Sequence, residues 1–160
     1  MSYKNENMKM IELHENGLDI QFRIRENGVV ELADFSSQEV KKAVMEPKED
    51  ICYPAVEIHR SGTGSLNMHA YKNNINQSSV DFVYENHELK AQAGGKELEI
   101  VMISPEKLKA VYHMRLFDGV PAVQTWTEII NEGSEDQGLT YVSSFMYQGI
   151  SRGGEKPYYK

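Results

Sequence analysis

In the run Leu18-Asp19-Ile20-Gln21-Phe22-Arg23-Ile24-Arg25 every even position is apolar and every odd one polar. A period of two places alternate side chains on opposite faces of an extended chain, so the run predicts a half-buried strand. It leads into Glu26-Asn27-Gly28. Asn-Gly supplies the two positive-φ residues of a type I′ turn, and residues 29–35 are expected to return antiparallel. The same alternation recurs further on, with Leu108, Ala110, Tyr112, Met114 and Leu116 on one face. Asp118-Gly119-Val120-Pro121 then reads as a turn, and residues 122–130 as the returning arm, which carries Trp126, the only tryptophan, on the same alternation face as Ile130.

Between these hairpins the signals are shorter. Residues 51–59 read as extended, with Pro54 suiting a strand start or an edge position. Further strands are predicted at 79–84, 88–93 and 98–103, separated by turns at Asn86-His87 and Gly94-Gly95. Residues 139–147 are apolar or aromatic on both faces, the pattern of a strand covered on both sides. Residues 36–50 are read as a short helical turn or a loop, since Ser36 with Glu39 makes a capping box and Pro47 limits any helix begun there. Residues 60–70, with Gly62 and Gly64, read as a loop. The pattern predicts an all-β, two-sheet sandwich over residues 11–150, with residues 1–10 a disordered N-terminus and 151–160 a flexible tail or truncation point.

Composition narrows the possible partners. The chain has 160 residues, 40% of them hydrophobic and 26% charged, the balance of a globular domain able to bury a core. A formal net charge of −7, with Lys41-Lys42 the only adjacent basic pair and acidic residues around it, argues against a nucleic-acid partner. Cys52 stands alone, so no internal disulfide is possible, and it reads as a small hydrophobe rather than a nucleophile. The absence of a leading apolar run and of any stretch approaching about 18 apolar residues predicts no membrane span, and a cytoplasmic location is expected. His14, His59, His69, His87 and His113 show no close paired spacing, so neither a metal site nor a cofactor is expected.

The segment from Phe117 through Gln124-Thr125-Trp126-Thr127-Glu128 to Asn131-Glu132-Gly133 resembles the matching hairpin of the N-terminal domains of family 36 glycoside hydrolases, the bacterial α-galactosidase type. Leu139-Thr140-Tyr141-Val142-Ser143-Ser144-Phe145 continues the resemblance, as do Gly28-Val29-Val30-Glu31-Leu32 and Tyr53-Pro54-Ala55-Val56-Glu57-Ile58 earlier in the chain. Four motifs in one order carry more weight than any one alone. The resemblance implies a partial domain of the β-supersandwich type shared with mutarotase-like proteins. It also implies a parent enzyme with a following catalytic (β/α)₈ barrel, a homo-oligomeric assembly, and α-galactoside substrate reaching the domain only through the parent.

Family members hydrolyse by a retaining mechanism with two Asp residues, one after Lys-Trp and one in a Ser-x-x-Asp-x-Gly setting. Here Trp126 lies between two threonines, and Ser78-Ser79-Val80-Asp81 is followed by Phe82-Val83. The chain itself is therefore expected to have no catalytic residues. The family's accessory sugar loop corresponds to residues 62–70, where Ser65 stands for an Asp, Asn67 for an Arg and His69 for a Pro. Ser65, Asn67 and Trp126 are the candidate substrate-binding residues. An alternative is a stand-alone carbohydrate-binding module using Trp126 with Tyr112, Tyr141 or Tyr71, since aromatic rings pack on the apolar faces of pyranoses. A third possibility, a mutarotase-like activity, requires a carboxylate and a His converging in a cleft.

Overall fold

The computed structural model describes residues 9–37, 53–64, 68–69, 72–73 and 77–147. In chain order the elements are β1 (Lys9–Glu15), β2 (Leu18–Ile24), β3 (Val30–Ser37), β4 (Ile58–Arg60), β5 (Met68–His69), β6 (Lys72–Asn73), the single helical turn α1 (Gln77–Val80), β7 (Val83–Gln92), β8 (Gly95–Ile103), β9 (Leu108–Phe117), β10 (Val120–Asn131) and β11 (Leu139–Val142). They form a three-stranded sheet in the order β1-β2-β3, a four-stranded sheet in the order β10-β9-β8-β7, and the small pairs β11-β4 and β5-β6. Every pairing between strands is antiparallel. The chain is all-β, and its two main sheets face each other as a sandwich.

The alternation read from the sequence decides what lies between the sheets. Leu18, Ile20, Phe22 and Ile24 of β2 join one buried cluster with Leu98, Ile100 and Met102 of β8 and with Leu108, Ala110, Tyr112, Met114 and Leu116 of β9. Phe22 meets Tyr112 edge-on across the sheets, with ring centroids 5.7 Å apart. The centre of the core is thus apolar, and the buried Tyr112 hydroxyl bonds with the Thr125 side chain on the inward face of β10.

Two Asn-Gly turns join the sheets, and they differ. Type I′ geometry, expected at Asn27-Gly28, is found instead at Asn16-Gly17, where both residues have positive φ, and it joins β2 to β1, a strand the sequence reading did not assign. β1 starts at Lys9, inside the stretch expected to be disordered. At Asn27-Gly28 only Gly28 has positive φ. The Gly28 N–H donates to the Arg25 carbonyl and the Val29 N–H to Asn27 Oδ1, a three-residue loop in which Asn27 supplies a side-chain acceptor rather than a left-handed backbone.

Each turn also ties one sheet to the other. Asn16 Nδ2 donates to the Phe117 carbonyl, and Asn16 Oδ1 accepts the Gly119 N–H of the β9–β10 turn. At the opposite end the Gly28 carbonyl accepts the Tyr84 N–H of β7, and a Cβ on Gly28 would lie 2.9 Å from that of Val83.

Elsewhere four expectations need correction. The strand predicted to begin at residue 79 begins at Val83, because Ser78 and Ser79 are used in α1. Their hydroxyls accept the N–H groups of Arg60 and Ile58 and satisfy the buried backbone of β4, which a strand conformation could not do. Asn86-His87 is not a turn: β7 runs through it with a bulge at Glu85. Residues 139–147 do not form a covered strand. Only β11 is extended, pairing with β4, and Leu139, Tyr141 and Phe145 are exposed. Of the described residues in the 51–59 segment, 53–57 are not strand and only 58–59 are, and Ala55 N–H donates to the Val30 carbonyl at the outer edge of β3. Cys52 and residues 38–50 and 148–160 lie outside the described residues. No helix among the described residues is long and apolar enough to cross a membrane.

Two stability measurements follow. A Cβ on Gly95 would sit 1.9 Å from the Leu116 carbonyl oxygen, so Gly95→Ala must force β8 and β9 apart and is expected to cost about 3 kcal/mol in urea unfolding; a change within experimental error would contradict this packing. Burial pushes the Tyr112 hydroxyl far above its ordinary range, with the Thr125 bond opposing that shift. The folded chain therefore keeps a proton that the unfolded chain loses above about pH 10, and stability must fall as pH rises from there. Tyr112→Phe is expected to flatten that alkaline decline while leaving the pH profile parallel to wild type below about pH 9.

Candidate functional site

Strands that bury alternate residues turn the others outward, and on the four-stranded sheet the outward set is chemically dense. Cross-strand register aligns Trp126 of β10, His113 of β9, Glu99 of β8 and Glu88 of β7 on one rung. The next rung holds Gln124, Arg115, Glu97 and Lys90, and the one on the other side Glu128, Val111, Val101 and Asn86. Four carboxylates share these rungs with two permanent cations.

His113 is the centre of the set. Its Nδ1 is 3.0 Å from Glu97 Oε1 and 3.9 Å from Glu99 Oε1, and its Nε2 is 3.8 Å from Glu128 Oε2. Trp126 stacks on the imidazole with ring centroids 4.6 Å apart and planes 5° from parallel. Although they face away from the core, His113 is only 7% exposed and Glu97 only 8%. His113 Nε2 has no hydrogen-bond partner, being too far from Glu128 for one. Glu99 turns its other oxygen to the Lys90 ammonium, and this bond holds Lys90 above its ordinary pKa.

Among the described residues, Glu97, Glu99 and His113 form a group whose potential ligand atoms all lie within 4.8 Å of one another. The sequence reading, which looked for paired histidine spacings, did not find it. The parity was visible: Glu97 and Glu99 alternate with Leu98 and Ile100, and His113 follows inward-facing Tyr112. What was missing was the register that sets His113 opposite Glu99.

Of the residues expected to contact substrate, only Trp126 lies among the described residues. Ser65 and Asn67 lie outside the described residues, as does Tyr71. Trp126 packs on His113 on the outer face, whereas Tyr112 is 1% exposed in the core and is thereby removed from any sugar platform. Tyr141 is exposed on β11, against His59. A carboxylate and a His do meet, but Glu97 and His113 bond to each other beneath Trp126 instead of flanking an open cleft. Asp81, the carboxylate of the Ser78-Ser79-Val80-Asp81 stretch, is engaged by buried Arg60 at 3.0 Å and by Gln77 at 3.1 Å. Compared with known proteins, the chain matches no family model and no curated protein.

Proposed function

We propose that the chain is a non-catalytic β-sandwich domain of an α-galactosidase-like glycoside hydrolase, carried beside the catalytic barrel of its parent and contributing to packing and homo-oligomer assembly. The observation that supports this most is the state of β10. It is a twelve-residue edge strand, exposed or half-exposed along its whole length, and among the described residues no strand pairs with its outer side. An edge of that length is a template for further pairing, and stable domains cover or blunt such edges. A parent enzyme would supply the cover.

The motif that carries the resemblance supports the same reading. Its residues, 117–133, form one continuous hairpin arm and turn. Asn131 Oδ1 accepts the Gly133 N–H at 3.0 Å, giving the Asn-x-Gly turn. Any Cβ at Gly133 would lie 2.6 Å from the Glu106 carbonyl oxygen, so the turn requires glycine at that position.

Amide hydrogen exchange on the isolated chain tests the edge. The expected result is alternation along residues 123–130, with amides bonded to β9 protected and the outward ones exchanging quickly. Uniform protection at dilute concentration would mean that the edge is already covered within the chain, and the reading would lose its support.

A stand-alone carbohydrate-binding module is the second reading, favoured by the partly exposed Trp126 beside Gln124 and Glu128 on a rigid sheet face. Calorimetry with galactose and raffinose separates the two. The assembly reading expects no heat at millimolar sugar, whereas saturable heat abolished by Trp126→Ala would establish the binding module in its place.

A further inference from the structure

We infer that Glu97, Glu99 and His113 form a binding site for one late first-row divalent cation, of the Zn²⁺ type, on the outer face of the four-stranded sheet. This inference is independent of the assembly role. Two carboxylates and an imidazole are a donor set suited to such an ion. Glu97 and Glu99 stand two residues apart on β8, on the same face, and His113 faces Glu99 across the ladder. The backbone therefore holds all three donors on adjacent strands of a rigid sheet. Their ligand atoms, within 4.8 Å of one another, need to close by at most roughly 1.5 Å to reach the separations of donors around a tetrahedral ion, a movement that carboxylate rotation supplies.

The unpartnered nitrogen of His113 is a second, independent observation. With the 3.0 Å contact made as Nδ1–H donating to Glu97, Nε2 is left buried and bare. When a cation takes the Nδ1 lone pair, the imidazole proton moves to Nε2, where the Glu128 carboxylate, 3.8 Å away and more than half exposed, can swing in to accept it. Metal-ligating histidines commonly donate their second N–H to a carboxylate in this way. Lys90 does not block the site, because it holds Glu99 Oε2 while Oε1 faces His113. Three protein ligands leave a fourth position open to water or to a ligand oxygen.

The stacked indole makes binding observable. Trp126 is the chain's only tryptophan and lies on the ligating imidazole, so an open-shell cation bound there must quench its emission. Titrating the chain with Co²⁺ is expected to quench Trp126 fluorescence saturably at one equivalent, and added Zn²⁺ is expected to restore it by displacement. Glu99→Gln, at a partly exposed position where folding should survive, is expected to weaken both effects at least tenfold, and Glu97→Gln and His113→Asn to abolish them. Zn²⁺ should also raise the melting temperature of the wild-type chain, a readout that needs no variant. Linear, unsaturable quenching, or saturable quenching that is unchanged in Glu99→Gln, would overturn the site and leave His113 and Glu97 as an ordinary buried hydrogen-bonded pair.

Discussion

The structure depends on the register of β9. This strand lies between β8 and β10 in the four-stranded sheet, and its neighbours Tyr112 and His113 belong to different worlds, one in the core against Phe22 and the other on the outer face beneath Trp126. A slip of one residue would exchange them, placing an imidazole among Ile20, Phe22 and Ile100 and a phenol among carboxylates. Both substitutions are unfavourable, because an unpaired polar group in an apolar core costs about 1–3 kcal/mol. Gly95 fixes the register from the side, since only a residue without a Cβ lets β8 begin against the Leu116 carbonyl. The core and the acidic outer face are therefore specified by one constraint.

A second constraint holds the two sheets in place. The Asn16 amide on the β9–β10 turn and the Gly28 carbonyl on β7 add directional bonds to the apolar contact between the sheets, which is itself non-directional. The two Asn16 bonds and the single Gly28 bond sit at opposite ends of the sandwich. The Lys96–Glu15 ion pair adds a contact at the Asn16 end. Three-stranded and four-stranded sheets are in this way aligned without any disulfide.

Much of this was legible in the sequence wherever one physical signal sufficed. Alternation alone identified β2 and β9, and turn chemistry identified the hairpin through Asp118-Gly119. Where two signals competed, the tertiary context decided. Ser78 and Ser79 have acceptable strand neighbours, yet the buried backbone of β4 needed their hydroxyls. The dipeptide Asn-Gly occurs twice, and only the backbone around it determined that one copy would be type I′ and the other a looser loop. The apolar run at residues 139–147 suggested burial, but residues 139–142 lie on a two-stranded edge with Tyr141 half in solvent. The His113 cluster was invisible for a different reason. It is assembled from residues 97, 99 and 113, and no spacing rule within a single strand contains the register between strands.

That cluster is also the part of the fold that stability explains least. On the adjacent rung the same two strands carry Val101 and Val111, with Val111 as well buried as His113, so the outer face accepts β-branched apolar residues without difficulty. Replacing a buried polar or charged pair by such residues is often neutral or favourable, because the cost of desolvating the polar groups offsets most of their attraction. The sheet nevertheless places Glu97 and His113 there, surrounds them with Glu99 and Glu128, and leaves His113 Nε2 without a partner. A fold selected only to pack would have repeated the valine rung. The departure from that simpler solution, on the two central strands of the four-stranded sheet, is the physical ground for assigning this face a role beyond holding the sandwich together.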